Sequence, residues 1–375
     1  MYINSLEIEK YQVLENLNIE FQIPKDGKSV VNVIAGVNGC GKTTLLEWIY
    51  KSFNQELMNK FNGIIKFNDT MEMNTKLYWN AGGDHNQYRE QLLNNEGNHK
   101  NFLLPKCIYI PSKMTFNYQP VSNIDTQYSF TEIIDSSKLV GNAEFYIKNH
   151  IISNVMNSNE NKSNNEIKKD VIDSFNNIFS NSDFITKLKD LEGIDNKPIF
   201  QSINGDTVSI DKLSSGEQQL YARVVSLMIL NPHNSVILID EPEIALHPKW
   251  QIDIMKIYEN IGENNQFIIT THSPFIISQT PYKNLTFLVK ENDKIIVKQI
   301  SEPPLDRDIN TIIKTIMGAE YLPKELDDLH RKYQELFDND KLDTEEAQQL
   351  EAKILEFESP NSSFFQAINF EKALK

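Results

Sequence analysis

The first segments of the chain alternate hydrophobic and polar positions, the pattern of a half-buried β-strand. This alternation covers Tyr2–Ile8 and Leu14–Ile23. Later segments are continuously apolar, which is typical of strands buried on both faces of a parallel sheet. These continuous runs are Val30–Ile34 (broken only by Asn32), Val236–Ile239 and Phe267–Thr271. The pattern therefore predicts a sheet with a buried parallel centre.

Segments with helical periodicity separate the apolar strands. After a glycine-rich loop, Leu45, Trp48 and Ile49 share one face of a predicted helix. Further helices are expected at Ser215–Leu230 and Pro248–Asn260. Two antiparallel hairpins are also expected, 198–203 with 207–210 and 285–290 with 294–300. This alternation of strands and helices predicts an α/β fold with a mixed, largely parallel sheet flanked by helices and edged by antiparallel strands.

The composition changes between residues 54 and 197, where Asn, Ser and Lys are frequent and periodicity is weak. We interpret this stretch as an insertion, mostly helical and partly mobile, between an N-terminal part (1–53) and a C-terminal part (198–300) of the core. The elements expected within the insertion are helices at Asn142–Met156 and Glu166–Phe179 and a strand at Cys107–Ile110.

The last segment, 301–375, has two stretches with apolar residues at helical spacing. Asp343 and Glu346 resemble a capping box at the start of the second helix. We therefore expect a C-terminal helical hairpin, which either covers the core or docks a partner.

The overall composition narrows the class of protein. The chain has 375 residues and a formal net charge of −15, which argues against a uniformly basic nucleic-acid-binding surface. Its two cysteines, Cys40 and Cys107, cannot form a disulfide framework and suit a reducing compartment. No apolar run is long enough to cross a membrane, and the N-terminus lacks the apolar region of a signal peptide. We therefore expect a cytoplasmic location and no membrane partner.

A glycine-rich loop follows the strand Val30–Ile34 and matches the pattern G-x-x-x-x-G-K-[ST] in full. Glycines let successive backbone N–H groups turn towards a phosphate, and the following helix adds its positive N-terminal end. In this pattern the lysine reaches the β- and γ-phosphates and the threonine hydroxyl binds Mg²⁺. The residues expected to contact the nucleotide are Gly36, Val37, Asn38, Gly39, Cys40, Gly41, Lys42, Thr43 and Thr44.

Two carboxylates end the apolar strand Val236–Ile239. Asp240 is expected to hold Mg²⁺ together with Thr43, and Glu241 to orient and deprotonate the attacking water. Two acidic residues at a strand exit are common by themselves, but the phosphate-binding loop makes a nucleotide site the better interpretation.

Two further motifs follow the pattern of a phosphate site. Ser214, Ser215, Gly216 and Glu217 open a predicted helix, where Ser214 and Glu217 form a capping box and Ser214 with the Gly216 amide forms a cup for an oxygen atom. His272 comes directly after a buried strand, where its imidazole can donate a hydrogen bond to a γ-phosphate oxygen.

In this order, the glycine-rich loop, Leu213-Ser-Ser-Gly-Glu, Ile239-Asp-Glu-Pro-Glu and Thr270-Thr-His-Ser-Pro resemble the motifs of ABC-type ATPases. The segment Glu241–Gln251 (EPEIALHPKWQ) resembles more narrowly the SMC/RecF/OLD branch, which includes ATPases of Septu and retron anti-phage systems. The resemblance covers about Met1–Lys51 and Ile203–Ile300 closely.

The resemblance implies an ABC-ATPase head that uses ATP and Mg²⁺ and forms a homodimer across two nucleotides. Ser214 and Gly216 would then contact the γ-phosphate bound to the other chain, with Lys42, Glu241 and His272 catalytic. Further assembly of the dimer, and direct or indirect nucleic-acid binding, stay open.

Some positions depart from the ABC pattern. The signature has Ser215 where a glycine is usual and Glu217 where a glutamine is usual, and Ala245-Leu246-His247 replaces the aspartate-containing loop of transporters. Gln119 is a weak candidate for the glutamine-loop residue. Tyr11 either stacks on adenine or lies in the core.

The motifs leave open what the ATPase acts on. We favour a prokaryotic defence ATPase that regulates a separate effector, a nuclease or toxin, because no nuclease signature follows the head; Asp306 and Asp308 adjoin no clear strand. A RecF- or SMC-like DNA-repair ATPase is the alternative, although the chain lacks sustained heptads. A transporter subunit is a third, which the large polar insertion disfavours.

Overall fold

The computed structural model describes residues 2–54, 62–67, 72–74, 106–112, 133–135, 143–157, 162–182, 186–202, 204–299, 309–318 and 322–374. The chain divides into two compact units, Met1–Leu305 and Asp306–Lys375. The four segments expected from composition remain a prediction, since the structure divides the chain once.

The larger unit contains three sheets. Its described strands are β1 (Ile3–Tyr11), β2 (Leu14–Glu20), β3 (Val30–Ala35), β4 (Asn62–Phe67), β5 (Glu72–Asn74), β6 (Cys107–Ile110), β7 (Ile133–Asp135), β8 (Lys187–Glu192), β9 (Lys197–Gln201), β10 (Thr207–Ser209), β11 (Val236–Asp240), β12 (Gln266–Thr271), β13 (Leu285–Glu291) and β14 (Lys294–Gln299). Its described α-helices are α1 (Lys42–Asn54), α2 (Ala143–Asn157), α3 (Asn164–Asn177), α4 (Ser215–Leu230), α5 (Pro248–Glu259) and α6 (Pro274–Gln279).

The central sheet has the order β14-β13-β3-β12-β11-β6-β7. All its pairs are parallel except β13–β14, which form the expected hairpin. β3, β11 and β12 are almost entirely buried, as their continuous apolar runs predict. The prediction of a mixed, largely parallel α/β sheet is therefore confirmed. Strands β6 and β7, from within the predicted insertion, also belong to this sheet.

The other two sheets are antiparallel, with the orders β2-β1-β4-β5 and β10-β9-β8. Helix α1 lies between the sheet β2-β1-β4-β5 and the central sheet. Its apolar residues Leu45, Trp48 and Ile49 belong to one hydrophobic core that the two sheets share. This packing fixes the start of α1 at the edge where β3 ends.

Two buried amide side chains join the central sheet to the chain around β1 and β2. In β3, the Asn32 amide bonds the backbone N–H and carbonyl of Gln22 at 2.8 and 2.9 Å. In β12, Gln266 accepts from Ile3 N at 2.8 Å and donates to the carbonyls of Ile3 and Gln22 at 2.7 and 3.0 Å. The polar interruption of the apolar run Val30–Ile34 thus has a structural role.

The smaller unit contains α7 (Lys324–Asp338), α8 (Glu345–Ile354) and α9 (Ser363–Leu374), preceded by helical turns at Ile309–Thr311 and Ile312–Ile316. The expected hairpin is α7 with α8. Sequence analysis did not identify α9, whose Phe365 and Ile368 complete the small core. The expected capping box at Asp343 is wrong: Thr344 is the N-cap and accepts from Ala347 N, because the helix begins one residue later.

We expect Gln266→Leu to lower the free energy of unfolding by about 2–4 kcal/mol, because it leaves the buried N–H and carbonyl of Ile3 without their partner. Urea denaturation of the full chain measures this change. Gln279→Leu, at an exposed position, is the matched control and should change stability by less than about 0.5 kcal/mol. Equal effects of the two substitutions would contradict the structural role of Gln266.

Candidate functional site

The glycine-rich loop connects β3 to α1 at the carboxyl edge of the central sheet. Two of its glycines lie where no side chain fits. A Cβ on Gly41, whose φ is +86°, would lie 2.6 Å from the Leu14 side chain, and a Cβ on Gly36 would lie 2.4 Å from the carbonyl oxygen of Leu288. The loop is therefore packed between the β1–β2 turn and β13, which holds its backbone in place before any ligand binds.

Lys42 begins α1 and folds back over this loop. Its Nζ donates to the carbonyls of Gly36 at 2.9 Å and Val37 at 3.2 Å, and the residue is only 5% exposed. Burial lowers the pKa of the Lys42 ammonium, and neighbouring acidic groups, Glu241 and Asp240 among them, oppose that shift. The site thus holds one buried cation among several carboxyl groups.

Thr43 and Asp240 meet at the ends of α1 and β11. The Thr43 hydroxyl lies 2.9 and 3.1 Å from the two carboxylate oxygens of Asp240, and Thr270 donates to the same carboxylate at 2.5 Å. Hydroxyl and carboxylate oxygens are the hard donors that Mg²⁺ prefers. Within the described ranges no group of three or more His, Cys, Asp or Glu residues could hold a metal. The Thr43 hydroxyl and the Asp240 carboxylate are the candidate magnesium ligands of this site.

Glu241, His272 and Lys42 converge on one point. The Nε2 atom of His272 lies 2.7 Å from Glu241 Oε1 and 2.9 Å from Lys42 Nζ, and Nδ1 lies 3.4 Å from the same Nζ. An N–H on Nε2 suits the carboxylate and leaves Nδ1 free to accept a hydrogen bond. The three residues expected to be catalytic are thus in direct contact.

The backbone of Glu241 has a φ of +45°, a left-handed conformation uncommon for a residue with a side chain. Its N–H is held by the carbonyl and the hydroxyl of Thr270 at 3.2 and 3.1 Å. Thr270 therefore positions both Asp240 and Glu241, a role that sequence analysis missed because the residue resembles any buried strand threonine.

The signature segment, Leu213–Gln218, lies at the start of α4. Ser214 and Glu217 form the expected capping box, with the Ser214 N–H and hydroxyl 2.9 and 2.7 Å from Glu217 Oε2. The Glu217 carboxylate also accepts from the Thr186 hydroxyl. The described hydrogen bonds of Ser214 and Glu217 reach none of Lys42, Asp240 and Glu241.

The signature segment instead contacts the turn that follows β11, Glu241–His247. A Cβ on Gly216 would lie 2.5 Å from the carbonyl oxygen of Ala245. Farther along α4, the fully buried Arg223 donates to the carbonyl of Pro242 at 2.6 Å. These two contacts attach the signature helix to the turn that carries Glu241.

The sequence analysis also named Tyr11, His247, Gln119, Asp306 and Asp308, and the structure describes the first two. Tyr11 is 7% exposed and belongs to the core around α1, so of its two interpretations the core residue fits. His247 is the N-cap of α5, where its Nδ1 accepts from Lys249 N at 3.2 Å. Gln119, Asp306 and Asp308 lie outside the described residues.

Residues 128–278 match the protein-family model AAA_21, described as "AAA domain, putative AbiEii toxin, Type IV TA system". This match includes the signature segment, both carboxylates and His272, which the structure places on the sheet edge beside the glycine-rich loop. Over residues 128–278 the chain is therefore similar to this family.

Two curated relatives of this chain come from bacteria. "Retron Vc95 probable ATPase" of Vibrio cholerae serotype O1 biovar El Tor is 41% identical over 104 residues, which cover 25% of this chain and only 19% of that protein. "Septu protein PtuA" of Bacillus thuringiensis is 24% identical over 347 residues, 85% of each chain.

Solved structures include an SMC head domain from Thermotoga maritima, with 13% identity, a TM-score of 0.45 and coverage of 80% of this chain and all of that one. A dimeric ATP-binding cassette bound to ADP and Pi has 15% identity, a TM-score of 0.38 and coverage of 80% and 98%. Among the described residues of this chain, no helix is long and apolar enough to cross a membrane.

We expect Gly216→Ala to destabilise the protein, although alanine ordinarily stabilises a helix by about 1 kcal/mol relative to glycine. The added methyl group collides with the Ala245 carbonyl, so the turn must move. Thermal unfolding should show a melting temperature lower by several degrees. Ser215→Ala, on the exposed side of the same helical turn, is the control and should change it little. A rise in melting temperature for Gly216→Ala would show that the turn after β11 can move without loss of stability.

Proposed function

We propose that this chain is an ABC-type ATPase that binds and hydrolyses ATP with Mg²⁺ between two copies of itself. The observation that carries this proposal is the convergence of Lys42, Glu241 and His272 at 2.7–2.9 Å beside the Thr43–Asp240 pair. A buried lysine, two carboxylates and an imidazole at one sheet edge are the groups that phosphoryl transfer to water requires.

Each side chain has a role that its chemistry supports. Thr43 and Asp240 bind the Mg²⁺, which neutralises phosphate charge when bound. Lys42 neutralises the β- and γ-phosphates, because its ammonium is the cation at the centre of the site. Glu241 accepts the proton of the attacking water, and His272 donates a hydrogen bond to a phosphate oxygen.

The position of the signature segment supports the proposal of a dimer. Ser214 and Ser215 are exposed at the N-terminal end of α4, and the contacts of Ser214 lie within its own cap. A helix N-terminus favours an anion. We therefore propose that the signature segment of one copy completes the phosphate site of the other, so that two ATP molecules join two heads. Hydrolysis then opens the dimer.

The relatives named after Septu and retron systems support a more specific role. We propose that the opening and closing of this dimer regulates a separate effector, a nuclease or a toxin, in prokaryotic defence. Affinity purification of the intact protein from its own host, followed by mass spectrometry, tests this part. Recovery of a membrane permease instead would favour a transporter subunit.

We expect Lys42→Ala to weaken Mg·ATP binding by about 10- to 100-fold, because it removes charge-assisted hydrogen bonds to the phosphates. Isothermal titration of the full chain measures the affinity. Lys51→Ala, at the other end of α1 and paired with Glu47, is the matched control and should bind as the unmodified protein does. Absence of Mg·ATP binding by the unmodified, folded protein contradicts the proposal.

We expect Glu241→Gln to bind ATP but to release phosphate about 100- to 10,000-fold more slowly, because the amide cannot accept a proton from water. Light scattering after size-exclusion chromatography should show a dimer that persists with ATP. Glu263→Gln, an exposed carboxylate, is the control and should turn over normally. Full turnover by Glu241→Gln would show that another group activates the water.

A further inference from the structure

The segment Glu241–Gln251 contains two polar side chains, Glu243 and Gln251, that the proposed chemistry does not use. Glu243 lies in the turn after β11, and Gln251 lies in the first turn of α5. Both point towards the loop Thr271–Pro274, which carries His272 and which we call the His272 loop.

His272 is the first residue beyond the strand ladder. The pairing of β11 with β12 ends at Asp240 and Thr270, and the pairing of β3 with β12 ends at Thr271. Both of these described pairings therefore stop before His272. Some other group must hold this loop if the imidazole is to keep one position.

Glu243 holds the backbone of the His272 loop. Its Oε1 accepts from the His272 N–H at 2.7 Å and from the Thr271 hydroxyl at 2.6 Å. The Thr271 oxygen in turn accepts from Ser273 N at 2.9 Å. Glu243 Oε1 therefore bonds His272 directly and is connected to Ser273 through the Thr271 hydroxyl.

Burial of the Glu243 carboxyl group is energetically unfavourable. Glu243 is 9% exposed, and in the described part of the chain its Oε2 has no hydrogen-bond partner. Burial raises the pKa of its carboxyl group, although the bonds from Thr271 and His272 oppose that rise. If the Glu243 side chain only filled space, a leucine at this position would make the folded protein more stable. The hydrogen bonds of Glu243 to the His272 loop give its carboxyl group a structural role.

Gln251 makes a second connection between the same two segments. Its Oε1 accepts from the Ser273 hydroxyl at 2.6 Å, and its Nε2 donates to the carbonyl of Leu246 at 2.9 Å. The Ser273 oxygen also accepts from Phe275 N at 3.1 Å and so caps α6. Two side chains thus hold the His272 loop: Glu243 bonds the N–H of His272, and Gln251 bonds the hydroxyl of Ser273.

We propose that Glu243 and Gln251 are positioning residues that hold the His272 loop against the turn carrying Glu241, so that the imidazole and the carboxylate keep a fixed separation. This inference rests on the proposed function, because it gives the position of His272 a role in hydrolysis. Glu243 acts through the backbone of the His272 loop, and Gln251 acts through its cap at Ser273.

The first test is a comparison of kcat and KM for ATP in Glu243→Leu and Glu243→Gln. The leucine removes the acceptor, and we expect kcat to fall about 10- to 100-fold with KM changed less than about threefold, since misplacing a catalytic group lowers the rate more than ground-state binding. The glutamine keeps an acceptor oxygen, and we expect its kcat to stay within about threefold of the unmodified protein. Glu263→Leu controls for the loss of a glutamate.

The second test is the combination of Glu243→Leu with His272→Ala, measured as single-turnover phosphate release. If Glu243 acts through His272, the double variant should be no slower than His272→Ala alone, within about twofold. A multiplicative loss would overturn the inference, as would an unchanged kcat in Glu243→Leu or a Glu243→Gln as slow as Glu243→Leu.

Circular dichroism and thermal unfolding show whether Glu243→Leu folds. If it does not fold, Gln251→Leu tests the same inference independently. We expect its kcat to fall about 3- to 10-fold at unchanged KM, again without adding to the loss from His272→Ala. An unchanged kcat or an additive loss contradicts the inference. Absence of phosphate release by the unmodified protein contradicts the proposed function instead, so the two failures are distinguishable.

Discussion

The parallel pairing of β3, β12 and β11 is the constraint on which the site depends. Parallel neighbours end at the same edge of a sheet, so the segments that follow them must meet there. These segments are the glycine-rich loop after β3, the turn after β11 and the His272 loop after β12. The sheet therefore brings together side chains that lie 197 to 230 positions apart in the chain, Thr43 with Asp240 and Lys42 with His272.

This edge concentrates opposite charges in a poorly solvated place. Lys42, Asp240 and Glu243 are each buried, and Glu241 and His272 lie beside them. In water such groups would be separately hydrated, whereas here each is stabilised mainly by the others and by backbone dipoles. In the function proposed above, a bound triphosphate would exchange some of these ionic contacts for its own.

The turn after β11 connects this edge to the rest of the head. It carries Glu241, packs its Ala245 carbonyl against Gly216, and bonds Arg223 of the signature helix through Pro242. Through Glu243 it also holds the His272 loop. Well-packed segments of this kind move together rather than bend independently. In the proposed dimer, this packing would connect the nucleotide site of one copy to the surface offered to the other.

The sequence by itself determined the strands and helices of the core, the phosphate-binding loop, the paired carboxylates and the capping box at Ser214, because each depends on local patterning or spacing. It did not reveal α9, since that short helix is stabilised by contacts of Phe365 and Ile368 with α7 and α8. Nor did it show that Thr270 bonds Asp240 and Glu241 or that Glu243 bonds the His272 N–H. Those contacts depend on which backbone N–H or hydroxyl lies within hydrogen-bond distance across two strand ends, and only the tertiary structure decides such distances.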